Sequence, residues 1–452
     1  MCPLWPLHII ILYLLAICPL WFVACTLAPK VANQVWGVVF SPAELKELPM
    51  LKTAHVIATT KDFQDSLDVR VIKALVGDPD IISVEPDQLQ FKKEENSTSW
   101  IAEFNVTGKF LGYTSVSLCE QDKDSVKSED CLKKSEPLKV SVGRDNRVLD
   151  RIFTGSVITL VSIIFINFGC ALEFRSLKQA IIRPVGPLIG LICHFLFMPL
   201  VSYGLGELLF PESRPLRLGL FFTGVSPAGG ASNIWTFVLG GNINLSVTMT
   251  AVSTLASFAF IPLWVFTLGP VILSGGELEV PYSKIITSAV GLLIPLCIGY
   301  ALQIYCKKVS NVMVRILKPF SALLIIFIIV FAIVTNFYLF KLFNWQILLA
   351  GFSIPCLGYI AGWISASTMK QSPEDKLAIS IETGVQNTGV AIFLLRSCLT
   401  QPAADITTVA PVAVALMTPI PVLCLYLIRR FTNSNVKSEE KLPTLSDDNL
   451  HV

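Results

Sequence analysis

The sequence predicts an all-α polytopic membrane protein of nine spans, preceded by a small β-rich domain. Three observations predict it. Of the 452 residues 53% are hydrophobic and only 15% are charged, against about a quarter charged in a soluble globular protein. The deficit falls on residues 151–430, a series of apolar runs of about 20 residues, each long enough to cross a hydrocarbon core of about 30 Å. Residues 31–150 are rich in Lys, Asp and Glu instead. They carry short β-branched runs broken by turn residues, as strands do.

The chain opens on LHIIILYLLAICPLWFVACTLA. This apolar stretch reads as a signal peptide over residues 1–28, cleaved near Ala24 or Ala28. The segment before it lacks Lys and Arg, so an uncleaved signal anchor is the alternative. Residues 29–150 then form an extracellular β-sandwich-like domain, with strands expected at HVIATT, VRVIKAL, WIAEFNVTGKFLGYTSVSL and PLKVSVGR. The later part of NVTGKFLGYTSVSLCEQD alternates apolar and polar residues, as a half-buried strand would. Two sequons mark Asn96 and Asn105 as glycosylation acceptors on a lumen-facing surface. Cys119 and Cys131 are the two cysteines of this domain. An exported compartment permits a disulfide between them; two free thiols are the alternative.

The spans are expected near 151–171, 185–206, 216–239, 243–269, 283–304, 319–340, 345–368, 376–396 and 404–428. Basic residues cluster after the odd-numbered spans: Arg175, Lys178 and Arg183, then Lys307, Lys308, Arg315 and Lys318, then Lys370 and Lys376, then Arg429 and Arg430. The positive-inside rule places these loops in the cytoplasm. The N-terminus is then extracellular and the C-terminus cytoplasmic, with the plasma membrane as the expected location. Residues 431–452 are polar and mixed in charge, a disordered cytoplasmic tail by composition.

The chemistry gathers in AISIETGVQNTGVAIFLL, residues 378–395. Glu382 is the one acidic residue well inside a span. An ionised carboxylate in hydrocarbon costs several kcal/mol unless it is partnered or wet. No Lys or Arg lies well inside a span to pair with it. A cation that comes and goes satisfies the requirement; a carboxyl held by amide and hydroxyl hydrogen bonds is the bland alternative. Gly384 and Gly389 flank VQNT and loosen the helix. A broken helix frees backbone carbonyls, tolerated in a membrane only where they line a cavity or meet an ion. A second interruption, SPAGGASN at 226–233, lies in the third span, where Ser232 and Asn233 supply oxygens. Ser246 and Thr250 follow, four apart and so on one helix face. Two interrupted segments in corresponding places are the mark of inverted repeats with broken helices crossing near the midplane.

SPAGGASNIWTFVLGGNINLSVTMTAVSTL and IETGVQNTGVAI resemble the signature segments of the sodium/bile acid cotransporter family. FGCALEFRSLKQAIIRPVG and FMPLVSYGL are similar to its opening membrane segments, and the resemblance covers roughly residues 150–430. It implies two inverted repeats, a core domain with two crossing broken helices, and a panel domain. It also implies a symporter of amphipathic organic anions, bile acids or sulfated steroids, driven by co-transported Na+ with no organic cofactor. The first sodium site would use Ser232, Asn233, Ser246, Thr250 and Glu382. The second would use Glu382, Gln386, the carbonyls of Thr383 and Val385, and a Gln from the second span. Here that stretch reads CHFLFMP, so His194 stands in its place. His194 either coordinates sodium through nitrogen, less well than an amide oxygen would, or bonds a neighbouring helix and takes no part. Asn387 and Thr388 are candidates for the substrate cavity.

No catalytic residues are expected: H-E-x-x-H, paired membrane aspartates and a suitably placed G-x-S-x-G are all missing. No basic stripe or finger spacing suggests nucleic acid. The partners expected are a small organic anion and membrane lipid; the sequence leaves the oligomeric state open. The alternative function is a transport-inactive membrane protein acting through its ectodomain as a binding module.

Overall fold

A computed structural model describes residues 35–62, 70–94, 98–122, 131, 133–144, 147–172, 182–274, 281–316 and 343–439. The expected signal peptide, Asn96, the sixth span and the end of the tail lie outside these residues. The described chain is β-rich up to Gly143 and helical from Arg147 onward. It divides into two compact units.

The first unit falls within residues 1–45, 53–107 and 114–140. Each of the four expected strand segments is strand, including Thr53–Thr60, Arg70–Val76 and Trp100–Gly108. Thr53–Thr60 lies between Val38–Ser41 and Trp100–Gly108, antiparallel to both. Trp100–Gly108 alternates as a half-buried strand should: Ala102, Phe104 and Val106 are buried, Glu103 and Asn105 exposed. Strand Gly112–Asp122 departs from the expected alternation, because Val116 to Glu120 are all buried. Arg70–Val76 and Lys133–Ser135 pair with it. Cys119 and Cys131 are joined by a disulfide with Cα atoms 5.5 Å apart.

The second unit holds residues 46–52, 108–113 and everything from Ser141. Its helices are α1 (Arg147–Ala171), α2 (Val185–Ile192), α3 (Met198–Leu209), α4 (Arg214–Val225), α5 (Ala231–Val238), α6 (Ile243–Leu273), α7 (Tyr282–Gly291), α8 (Leu293–Tyr305), α9 (Trp345–Thr368), α10 (Pro373–Gly384), α11 (Thr388–Cys398), α12 (Ala403–Met417) and α13 (Pro419–Glu439). Six stretches among the described residues are long and apolar enough to cross a membrane. They correspond to the first, second, fourth, fifth, seventh and ninth expected spans. The third and eighth are each broken into two short helices, and the sixth lies outside the described residues.

A five-residue π-helical turn, Cys193–Phe197, joins α2 to α3. Pro199 has no N–H to offer the carbonyl four residues back. Trp264 Nε1 donates to that carbonyl, Phe195 O, at 2.7 Å. Helices α1 and α8 touch backbone to backbone: a Cβ on Gly169 would lie 2.2 Å from Leu296 O, and one on Gly299 2.0 Å from Ile166 O. Such small-residue contacts let membrane helices approach closely. Elsewhere α9 packs on α10 and α12, and α4 on α3 and α12. Leu111, only 2% exposed, is buried with Leu209, Phe210, Leu216, Ile347 and Ile406.

Candidate functional site: two broken helices crossing at Glu382

Helix α10 begins cleanly. Ser372 caps it by accepting from Asp375 N at 3.1 Å, Pro373 occupies the first turn, and Glu374 and Asp375 face its positive end. It ends at Gly384, where Val385 turns extended (φ −90°, ψ 98°), and Asn387 caps α11 by accepting from Val390 N at 3.3 Å. The other break begins at Ser226, which Pro227 holds in an extended conformation (φ −66°, ψ 150°). The two breaks meet. Gly229 N donates to Val385 O at 2.9 Å and Asn387 N to Pro227 O at 2.8 Å, with Ala228 and Gln386 bridged antiparallel. Gly229 is required here: a Cβ on it would stand 2.9 Å from Gln386 O.

The crossing holds Glu382 one turn before the break, 2% exposed. Its Oε2 accepts from Ser246 Oγ at 3.0 Å and its Oε1 from Thr250 Oγ1. Ser246 Oγ also stands 2.8 Å from Asn233 Oδ1, its single proton serving either the carboxylate or the amide, while Asn233 Nδ2 donates to Thr250 Oγ1 at 3.2 Å. Ser232 Oγ faces the carboxylate outside strict hydrogen-bond geometry and is fully buried. The structure therefore brings together all five side chains expected at the first site. Among the described residues no Lys, Arg or His is paired with Glu382. Two hydroxyl donors leave lone pairs unused on a carboxylate that can accept about four bonds.

Beside the crossing lie two unsatisfied buried acceptors. Gln386 donates through Nε2 to Thr383 O at 2.9 Å, and its Oε1 has no partner. His194 lies in the π-helical turn, 2% exposed, with Nε2 2.7 Å from Ser226 O. Only a protonated Nε2 bonds a carbonyl, so in the neutral ring Nδ1 carries the lone pair, and it has no partner. The Thr383 and Val385 carbonyls already accept one protein bond each; each has a second lone pair. Asn387 and Thr388 line a cavity of about 110 Å³ with Gln386, Trp235, Ile164 and Phe168. That is well below the ~300 Å³ at which ligand pockets begin. In this conformation it is too small for a sterol body. Asn105 lies exposed on its strand in the first unit.

Sequence reasoning missed two features. The polar face of α6 extends past Ser246 and Thr250 through Ser253 and Ser257, whose hydroxyls bond the carbonyls of Thr250 and Thr254. The three- and four-residue spacing was there to read. A charged pair was also missed. Arg396 and Asp405 stand at expected span edges, yet their side chains are 2% and 0% exposed and they pair with each other.

Residues 157–343 match the Sodium Bile acid symporter family. The P3 protein of Mus musculus is 32% identical over 260 residues, 57% of this chain and 55% of that protein. The hepatic sodium/bile acid cotransporter of Rattus norvegicus is 29% identical over 272 residues, 58% of this chain and 73% of that protein. The sodium-dependent organic anion transporter of Bos taurus is 31% identical over 261 residues, 56% of this chain and 66% of that protein. The chain thus spans about half the length of the P3 proteins it matches. Residues 157–343 thus place this segment of the chain with the sodium bile acid symporter family.

Proposed function

We propose that the chain is a sodium-driven symporter of amphipathic organic anions, bile acids or sulfated steroids, working by alternating access. The observation that carries this reading is Glu382: a buried carboxylate that no cationic side chain among the described residues pairs with, set among hydroxyl and amide oxygens where two broken helices cross. Hydroxyls lower its desolvation cost but do not cancel its charge. A monovalent cation does, and hard oxygens suit it. Sodium at the first site would be held by Ser232, Asn233, Ser246, Thr250 and Glu382. A second ion would sit against Gln386 Oε1, His194 Nδ1, Glu382 and the carbonyls of Thr383 and Val385. The bound ions would fix the crossing, and the substrate would enter beside Asn387 and Thr388. Nine spans in two inverted repeats would divide into a core holding the crossing and a panel that rocks against it. The N-terminal β-rich domain, glycosylated at Asn96 and Asn105, would face outside the plasma membrane.

A second reading has one observation behind it. His194 spends one nitrogen on Ser226 O, which favours a structural role and a carrier that no longer transports, its ectodomain acting as a binding module. Uptake of a labelled sulfated steroid into vesicles separates the two. The symporter takes it up only with a sodium gradient, and Glu382→Ala abolishes that uptake while the protein still reaches the surface. Uptake independent of sodium, or unchanged in Glu382→Ala, contradicts the proposal.

A further inference from the structure

Three charged side chains converge where α1 begins, and the sodium cluster uses none of them. Arg396 of α11 pairs through Nη1 with Asp405 Oδ1 of α12, and Arg144 Nη1 stands 3.9 Å from Asp405 Oδ2. Arg144 precedes α1 by three residues. The side chains of Arg144, Arg396 and Asp405 are 10%, 2% and 0% exposed. The Arg396 guanidinium also lies over the ring of Phe153 on α1, 4.7 Å from its centroid. The ring contact joins α1 to α11, and Arg144, just ahead of α1, meets α12.

From Phe153 onward α1 carries no such charge: Phe153, Val157, Val161, Ile164, Phe165 and Phe168 are buried in one apolar cluster with Val390 to Leu395 of α11. Of these, Ile164 and Phe168 also line the cavity at the crossing, together with Ala415 near the end of α12 and Thr418 and Pro419 just beyond it. So α1 is shut against α11 and α12 at its first end and leaves space toward its second. Its own fixed partner is α8, to which Gly169 and Gly299 hold it backbone to backbone.

We propose that Arg144, Asp405 and Arg396, with Phe153, form a gate that is closed in this conformation and opens when α1 and α8 swing away from α11 and α12. The inference rests on the transport reading above. Charge suits a contact that must be made and broken. Separating a buried pair inside protein leaves an uncompensated charge and costs several kcal/mol. Opening to water re-solvates all three groups instead.

The geometry supplies its own test. A Cβ on Gly143 would lie 3.9 Å from Gln401 Cβ, inside the roughly 3.5–4.5 Å of disulfides. In the full-length Gly143→Cys, Gln401→Cys protein the two thiols should oxidise to a disulfide across the gate. Sodium-dependent steroid uptake should fall about tenfold or more on oxidation and return on reduction, a coupling of ordinary allosteric size. Wild-type protein carried through the same treatment should keep its uptake. A disulfide that forms without affecting uptake overturns the gate, as does a pair that never oxidises. If the wild type itself shows no sodium-dependent uptake, the transport reading fails, and amide hydrogen exchange over residues 148–157 decides the gate separately. Exchange about tenfold slower in the oxidised than in the reduced protein supports an opening contact; equal rates overturn it.

Discussion

Glu382 carries most of the chemistry, and its importance was legible from residue type and place alone: a lone carboxylate in an apolar run. Its five-membered oxygen set was implied by the family resemblance, and the structure brings those side chains to one cluster. The setting of His194 was not legible. Its position in a π-helical turn and the bond to Ser226 O depend on how two distant helices meet. The buried Arg396–Asp405 pair was equally hidden, because span edges read from hydropathy cannot say which end residues turn inward. One prediction belongs at this scale. His194→Gln replaces an imidazole nitrogen with an amide oxygen at the proposed second site. It is expected to lower the half-saturating sodium concentration for uptake by about fivefold, the worth of roughly 1 kcal/mol in one ligand, and to raise the Hill slope. Sodium titrations of uptake check it; an unmoved midpoint and slope place His194 outside the ion path.

At the scale of elements, the two breaks follow from local chemistry. Pro227 forces Ser226 out of the helix, Gly384 ends α10, and Asn387 restarts the chain as a cap. Those signals were all in the sequence. Their meeting was not: the backbone bonds from Gly229 to Val385 and from Asn387 to Pro227 link segments more than 150 residues apart. Nine apolar runs and six long apolar helices agree once the two broken spans and the sixth are set aside. The expected period-two strand failed for a similar reason, since burial of both faces over Val116 to Glu120 is a tertiary fact. Gly384 offers the sharpest test of the break. A Cβ there would stand 2.2 Å from Tyr359 Cδ1 and 2.8 Å from Pro355 O. Tyr359 cannot swing aside freely, because its hydroxyl donates to Thr418 O at 3.0 Å. Gly384→Ala is therefore expected to destabilise the folded protein by about 1–3 kcal/mol through overpacking. A lowered melting temperature of the detergent-solubilised protein checks it; an unchanged one means the turn is looser than drawn.

For the whole molecule, composition alone separated a β-rich first part from a helical apolar second part, and the described residues follow that division. It did not foresee that residues 46–52 and 108–113 of the β-rich stretch belong with the helices. Their apolar side chains Met50, Phe110 and Tyr113 sit in strand-and-turn sequence but pack against a core of helix residues. The account joins these scales through one requirement: the charge of a carboxylate sealed within the bundle is matched by an ion from solution. Equilibrium binding of radioactive sodium to the purified full-length protein tests that requirement most directly. Saturable binding is expected for the wild type and its loss for Glu382→Ala, in a variant that keeps its fold. Wild-type protein that binds no sodium, or a Glu382→Ala variant that binds it equally well, would contradict the account.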